Sequence, residues 1–557
     1  MRRKQRLLFL TAILAAILLQ SSTAARAQNA AALSGQVSSP AEPVMEGVIV
    51  GAKKQGSNIT VSVVSDDKGK FSFPAGRLEP GHYALSIRAI GYDLQSPKGI
   101  DVPAAGGATA DVKLDKTKNL EKQLSNAEWI MSAPGTDKQK SYLTNCVGCH
   151  NLQRPMFSAH NAEEFLELFA RMASYSSGST PLNFQRLFVD GERVRIREQE
   201  GEASKARAEF LASINLSNSP TRPYPLKTLP RPTGRATHVI YTTYDLPRKI
   251  AEPHDVVLTA DGHAWYSDFG SAVVGELDPK TGKVAEYPLP ILKPKAPKGS
   301  LNLAVDPKGN LWIAMMMQGG LAKIDPKTKE ITPYPFPVQD QSNSTYASMV
   351  SPQHSDADGV IWTGDQSLHS LYKFHTDTGT YERMGVATSA DGKKISGYGM
   401  PTDSQNRPYI LEFQNTRIGR VDPKTNVTTI WTVPFGNTKP RRGRVDSQDR
   451  LWFAAFGSNG IGMFDPNTEK FTEWKPPTPW SAPYDAEADK NGEVWAGSML
   501  NDRLSRLDPK SGNFVDYLLP GQFTNIRRVF IDNKAERPEL WIGDNHGANI
   551  IHVEPLD

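Results

Sequence analysis

The chain has 557 residues, too many for one ordinary domain, and its 38% hydrophobic content is enough for packed cores and excludes a disordered polymer. Its formal net charge of +4 belongs to one end. The first 27 residues carry five of the 64 Lys and Arg and no acid, which leaves 59 basic against 60 acidic residues, a net charge of −1. That balance excludes nucleic-acid binding by bulk charge.

Arg2, Arg3, Lys4 and Arg6 precede an apolar run from Leu7 to Leu19, and Ala25-Arg26-Ala27 offers a small-x-small cleavage site. Residues 1–27 therefore read as a secretory signal, too short for a lasting anchor. No later segment is apolar enough to span a bilayer. The expected product is periplasmic or otherwise exported, with no membrane span after cleavage.

Residues 28–117 read as strands and turns. Val48-Ile49-Val50, Ile59 to Val64, Lys70 to Phe73 and Tyr83 to Ala89 are strand-like, and Asp66-Asp67-Lys68-Gly69 and Glu79-Pro80-Gly81 supply turns. The segments Gly35-Gln36-Val37, Gly47 to Ala52, Asp67 to Pro74 and Leu78 to Tyr83 resemble the carboxypeptidase regulatory-like domain. That resemblance implies a small β-sandwich acting as a spacer or docking module.

Residues 118–217 change to helical patterning. Asn161-Ala162-Glu163-Glu164 reads as a helix start in which Glu164 returns a bond to the cap, and Phe165, Leu168, Phe169 and Met172 follow at helical spacing. The two cysteines of the chain lie just before, in Cys146-Val147-Gly148-Cys149-His150. This is the attachment sequence for c-type haem. Two thiols reach the two vinyl groups at one porphyrin edge, and the adjacent imidazole reaches the iron. On a helix of about 100° per residue the three side chains share one sector. A thioredoxin-like pair would want a βαβ context, and a zinc site would want more ligands. The segment resembles cytochromes c, which implies an all-α haem domain with one haem c bound through Cys146, Cys149 and His150. A Met commonly supplies the sixth ligand in that family, which points to Met172; Met156 and His160 are the alternatives, and Met172 also fits a plain apolar stripe.

Residues 218–235 contain Pro220, Pro223, Pro225, Pro230 and Pro232 and read as a stiff linker. From 236 to 557 the chain repeats. An aromatic recurs at Trp265, Trp312, Trp362, Tyr409, Trp452, Trp495 and Trp541, and Asp-Pro turns recur at 278, 325, 422, 465 and 508. A period of 40 to 50 residues with about four strands per copy predicts a seven-bladed β-propeller. The last copy lacks a fourth strand, which His238 to Pro247 can supply to close the ring. The fold class expected is thus multidomain and mainly β: a small β-sandwich, an all-α cytochrome c-like domain and a seven-bladed β-propeller.

Antiparallel pairing brings first-strand starts and second-strand ends to one face of the ring. That face gathers Glu252, His254, Asp268, Asp365, Glu412, Arg442, Arg527, Asp544 and His546. Four acids with a His could hold a divalent cation such as Mg2+ or a polar ligand, although each one also reads as a solvated turn residue. The pattern His254 to Trp265 and Gly275-Glu276-Leu277-Asp278-Pro279 resembles the virginiamycin B (streptogramin B) lyases. That family opens a cyclic depsipeptide by metal-dependent elimination, using a Glu-x-His and a His in the preceding blade. Glu252-Pro253-His254 matches the first, so Glu252 and His254 are the candidate catalytic pair; Arg527 stands in place of the second.

The first functional reading is electron transfer coupled to binding of a small ligand or a redox partner, either a protein or a small electron donor, on the propeller face. The second is a carbon-oxygen lyase of the virginiamycin B type. The third is a quinohaemoprotein dehydrogenase, from which this chain departs with seven expected blades and no spare cysteine.

Overall fold

The structure is a computed structural model that describes residues 31–189, 192–193, 201–218 and 224–557. The expected signal at 1–27, and Pro220 and Pro223 of the expected linker, lie outside the described residues. The chain divides into two compact units: Met1–Lys118 with Arg231–Thr242, and Asn119–Pro230 with Thr243–Asp557.

In the first unit one sheet runs in the order Lys70–Phe73, Leu33–Ser38, Val112–Lys116, Tyr92–Ser96, and the other Ile59–Val64, Ile49–Lys54, Gly81–Arg88, Gly99–Val102. Alternate residues face inward, as in Lys70–Phe73, where Phe71 and Phe73 are buried and Lys70 and Ser72 exposed. The core joins Val37, Val50, Phe71, Phe73, Leu85, Val112 and Leu114. Gly35 is fixed by crowding, since a Cβ there would lie 1.9 Å from the Ala110 carbonyl oxygen.

The second unit holds seven antiparallel blade-like sheets in succession, with a two-stranded ribbon, Ala387–Thr388 with Lys394–Ile395, between the third and fourth. Five have four strands, beginning at Pro253, Leu303, Ala347, Pro440 and Pro483; the fourth blade has three, Tyr409–Leu411, Arg417–Val421 and Thr428–Thr432. The seventh comprises Val529–Asp532, Glu539–Asp544 and Asn549–Pro555. Tyr244 stacks on Trp541 at 6.1 Å, and Leu246 N–H donates to the Ala548 carbonyl at 2.9 Å. The segment leading into the first blade therefore lies against the last, as ring closure requires.

The repeat has a physical cause. The recurring indoles of Trp312, Trp452 and Trp495 donate to Asp306, Asp446 and Asp489 at 2.8–2.9 Å, six residues upstream in the preceding turn. Each ring then stacks on an aromatic of the fourth strand: Trp312 on Tyr334, Trp452 on Trp474 and Trp495 on Tyr517, at 5.5–5.7 Å. The Asp-Pro carboxylates cap their own turns, accepting from the N–H two residues on, as Asp278 does from Lys280 at 2.9 Å.

Five α-helices are found among the described residues, all between Asn126 and Ile214. Three begin in capping boxes, including the expected one: Asn161 accepts from Glu164 N–H at 3.0 Å and Glu164 accepts from Asn161 N–H at 2.8 Å. This helical segment was expected as a separate domain, but it belongs to the same compact unit as the propeller. Long-range hydrogen bonds explain why. Ala127 N–H donates to the Leu500 carbonyl at 2.8 Å, Gln522 donates to the Lys122 and Leu124 carbonyls, and Gln185 bonds both to the Lys298 carbonyl and to its N–H. No helix among the described residues is long and apolar enough to cross a membrane.

Candidate functional site

The attachment motif is wound more tightly than expected. Ser141–Gly148 is a 3-10 helix with Cys149 at its end, not an α-helix. At three residues per turn, positions i and i+3 eclipse, so this winding still sets Cys146 and Cys149 on one side. Burial pushes the Cys146 thiol up to about 11 and Cys149 also upward. In the metal-free chain the thiols are thus kept protonated, and a neutral thioether carries no such penalty. His150 Nδ1 lies 2.9 Å from the Asn151 carbonyl, which can only accept. Nδ1 therefore holds the proton and Nε2 keeps its lone pair, the tautomer a metal-binding imidazole needs. Burial also lowers the His150 pKa and keeps the ring neutral.

The two residues between the cysteines are clamped to the propeller mouth. Asn525 donates to the Val147 carbonyl at 2.6 Å, and Arg527 donates to the Gly148 carbonyl at 2.9 Å. The His546 ring also bonds to the Gly148 backbone. Arg527 is held further by Asn525 Oδ1 at 2.9 Å and lies over Phe269 at 4.8 Å. A cavity of about 290 Å3 opens beside the clamp, lined by Cys149, His150, Glu252, Asn545 and His546 among others. Within it Glu252 Oε1, both polar side-chain atoms of Asn545, and His546 Nε2 are buried without hydrogen-bond partners. A buried polar group left without a partner costs roughly 1–3 kcal/mol, so these atoms are available to whatever polar species enters the cavity. Burial, reinforced by Asp268 and opposed by Arg527, pushes the Glu252 carboxyl up to about 8. Burial takes His546 down to about 3, so it is neutral.

The other face residues are not the solvated turn residues they can pass for in the sequence. Glu252, His254, Asp268, Asp365, Glu412, Arg442, Arg527 and Asp544 are each at most 5% exposed. They are also not drawn together. His254 Nδ1 donates to Asp255 at 2.7 Å and Nε2 accepts from the Tyr484 hydroxyl at 3.2 Å, so both nitrogens are committed. Arg442 grips Asp255 bidentately at 2.7 and 2.9 Å. Asp268 pairs with Arg248, Glu412 with Arg417, and Asp365 accepts from the Tyr346 and Ser367 N–H groups. Asp544 accepts from Gly547 N–H at 2.8 Å. The expected four-acid cation site is therefore not assembled, because most of its carboxylates are spent on local partners. Among the described residues the one group of three metal-ligand types within reach of each other is Glu539, His552 and Glu554, away from this mouth.

Of the three proposed sixth ligands, Met156 is fully buried with Tyr224 Oη 3.9 Å from its sulfur, and His160 sits 3.5 Å from Glu164. Met172 is 41% exposed on the helix Ala162–Ala173. Sequence reasoning missed Asn525 and Asn545, which carry no motif.

The donor set, the His150 tautomer and the neutral thiols fit a covalently attached haem, which Cys146, Cys149 and His150 would hold. Residues 32–115 match the carboxypeptidase regulatory-like domain family. The chain is similar to virginiamycin B lyase from Staphylococcus aureus at 20% identity over 57% of this chain and 99% of that one, with a TM-score of 0.48. It is similar to a streptogramin B lyase structure at 20% identity over 58% and 99%, with a TM-score of 0.49. A search of curated proteins found no match to the chain. The chain is thus a mainly β protein with a carboxypeptidase regulatory-like domain at its N-terminal end and a propeller-like fold in its C-terminal part.

Proposed function

We propose that the protein is an exported redox protein carrying one c-type haem on Cys146, Cys149 and His150, and that the propeller mouth binds a small polar electron donor beside it. Met172 is the proposed sixth ligand, since it alone of the three candidates has a side chain largely free of protein packing or an ionic neighbour. The observation that carries this reading is the single cavity shared by the attachment motif and the unpartnered atoms Glu252 Oε1, His546 Nε2 and the Asn545 side-chain amide.

When bound, the haem supplies one-electron transfer. The chain's residues do the rest. Asn525 and Arg527 fix the loop between the cysteines, so the attachment edge is held at the cavity. Glu252, neutral up to about pH 8, offers a hydroxyl donor; His546 Nε2 offers an acceptor; Asn545 offers both. Together they suit a donor bearing hydroxyl or amino groups, while the proton such a donor releases on oxidation passes to solvent.

The test is reduction of the purified mature protein by a panel of small hydroxyl- and amine-bearing donors, followed by its haem absorption. Glu252→Gln and His546→Ala are expected to slow reduction by roughly tenfold or more, the scale of losing one buried polar contact, with haem content unchanged. Equal rates in both variants, for every donor that reduces the wild type, would reject the cavity as the donor site. Metal-dependent elimination at Glu252 and His254 is the second reading. It is less favoured because both nitrogens of His254, and the Arg527 guanidinium, are already engaged.

A further inference from the structure

The cavity of about 290 Å3 beside the clamp has two zones. Its floor is polar: Glu252 is 4% and Asn545 1% exposed, and together with His546 they carry the unpartnered atoms. Its rim is cationic and apolar. Arg154 and Lys249 line it and are exposed, as are Leu182 and Ile250, at 72% and 37%. Phe523 and Pro181 complete the apolar part of the wall.

The charges of this lining do not balance. Glu252 is its one carboxylate, so two cations face a single acid even when Glu252 is ionised. The acids nearest Lys249 are already taken, since Asp268 and Glu286 both pair with the adjacent Arg248. Arg154 stands near enough to His150 for its charge to help keep that ring neutral. Neither Arg154 nor Lys249 makes an ion pair among the described residues. The stretches that supply most of the lining are empty of acids: none occurs between Asp137 and Glu163, between Glu167 and Asp190, or between Asp516 and Asp532. A solvated surface carries both signs close together; this opening carries one.

We propose that the cavity takes its electron donor as an anion, a small hydroxylated aromatic carboxylate, with its hydroxyls on Glu252, Asn545 and His546, its ring against Leu182, Ile250 and Phe523, and its carboxylate at Arg154 and Lys249. This rests on the proposed function and names the class of donor. A flat ring joins the two zones, because it sets hydroxyls and a carboxylate at opposite ends of one apolar body. The apolar wall discriminates against compact inorganic anions. Oxidation of two adjacent ring hydroxyls to carbonyls releases two electrons and two protons; the electrons leave singly by way of the haem, and the protons pass to solvent.

Calorimetric titration of the reduced mature protein reads binding apart from turnover, with protocatechuate, its methyl ester, benzoate and inorganic phosphate as probes. Protocatechuate is expected to saturate at one equivalent, with each of the others roughly tenfold weaker or more. Added salt should weaken protocatechuate and leave the ester unmoved. The double variant Arg154→Gln, Lys249→Gln should bring protocatechuate down to the affinity of the ester. Both positions are exposed, and unchanged affinity for the ester reports that the floor is intact. The proposal is overturned if protocatechuate does not bind, if the ester, benzoate or phosphate binds as tightly, or if the double variant keeps the wild-type affinity for protocatechuate. Mixing the same compounds with the oxidised protein and following haem absorption tests the redox reading by itself. Reduction by acid and ester alike would overturn the anionic donor and keep that reading. Selective binding of the acid with no reduction would keep this site and overturn the reading.

Discussion

Each second-strand aromatic of the propeller is at most 4% exposed, whereas the helical segment leaves Phe157, Met172, Leu182 and Phe184 between 41 and 72% exposed. The two regions belong to one compact unit and use apolar residues of the same kinds. The propeller completes its core from its own sequence, blade against blade. The helix Ala162–Ala173 has a capping box and an apolar stripe, yet of that stripe Phe165 alone is buried. A helix with a good start signal and an uncovered face is short of a packing partner. In the proposed holoprotein that partner is the haem, so the cofactor completes the packing of one region while the other completes its own.

The largest expected effect follows from removing the attachment. The double variant Cys146→Ala, Cys149→Ala should lose covalent haem on denaturing gels. Hydrogen exchange should then show the backbone of Ala162–Ala173 nearly unprotected while the propeller strands keep their protection. Equal protection of that helix with and without haem would break the comparison. Next comes a pair of truncations. Trp452→Ala should cost about 3–5 kcal/mol in urea unfolding, because it empties a buried stack and removes the indole bond to Asp446, which keeps its turn N–H and Arg450 partners. Phe184→Ala, removing a side chain 60% exposed, should stay within about 0.5 kcal/mol in the haem-free double variant.

Much of this was legible in the sequence for reasons that differ by region. The blades were legible because local devices leave periodic traces: a second-strand aromatic recurs in all seven, and in three of them an aspartate bonds the indole six residues on. The Asn161–Glu164 capping box was legible for the same reason. The mouth was not. Asn525 meets Val147 across 378 positions and Arg442 meets Asp255 across 187, and no spacing encodes such pairs. Residues that pass for a ring of free acids were therefore already committed, and the orphaned atoms that mark the cavity are visible only once the partners of their neighbours are known. The 3-10 winding of the attachment motif escaped notice because cysteine spacing suits either helix.

A smaller effect is expected at Met172. In the holoprotein Met172→Ala should lower the reduction potential and remove the sulfur-to-iron charge-transfer band. In the haem-free protein the same change should barely move stability, since the side chain is 41% exposed. An unchanged holoprotein spectrum would return the sixth ligand to Met156 or His160.

The smallest effect concerns a place where the propeller resembles the helical segment in being under-bonded. Asp544 adjoins the orphaned Asn545 and is 1% exposed. Burial, with Asp502 adding to it, pushes its carboxyl from an ordinary 3.8 up to about 8. The native state thus keeps a proton that the unfolded chain has already lost, and the stability tied to it is full below about 3.8 and drains away as pH rises through 8. Glu252, also raised to about 8, acts in the same direction. His254 and His546, held near 3 by burial, act the opposite way, but their effect is complete once pH passes the ordinary 6.5. Between pH 6.5 and 8 the acids act alone. Wild-type unfolding free energy should fall across that window, and Asp544→Asn should lessen the fall by up to about 2 kcal/mol, one proton's worth over the interval. The amide can still accept from Gly547, so the substitution leaves that turn intact. Urea unfolding at the two pH values decides the matter: the same fall in both proteins would mean that Asp544 is ionised, and that the mouth is better solvated than its orphaned neighbours imply.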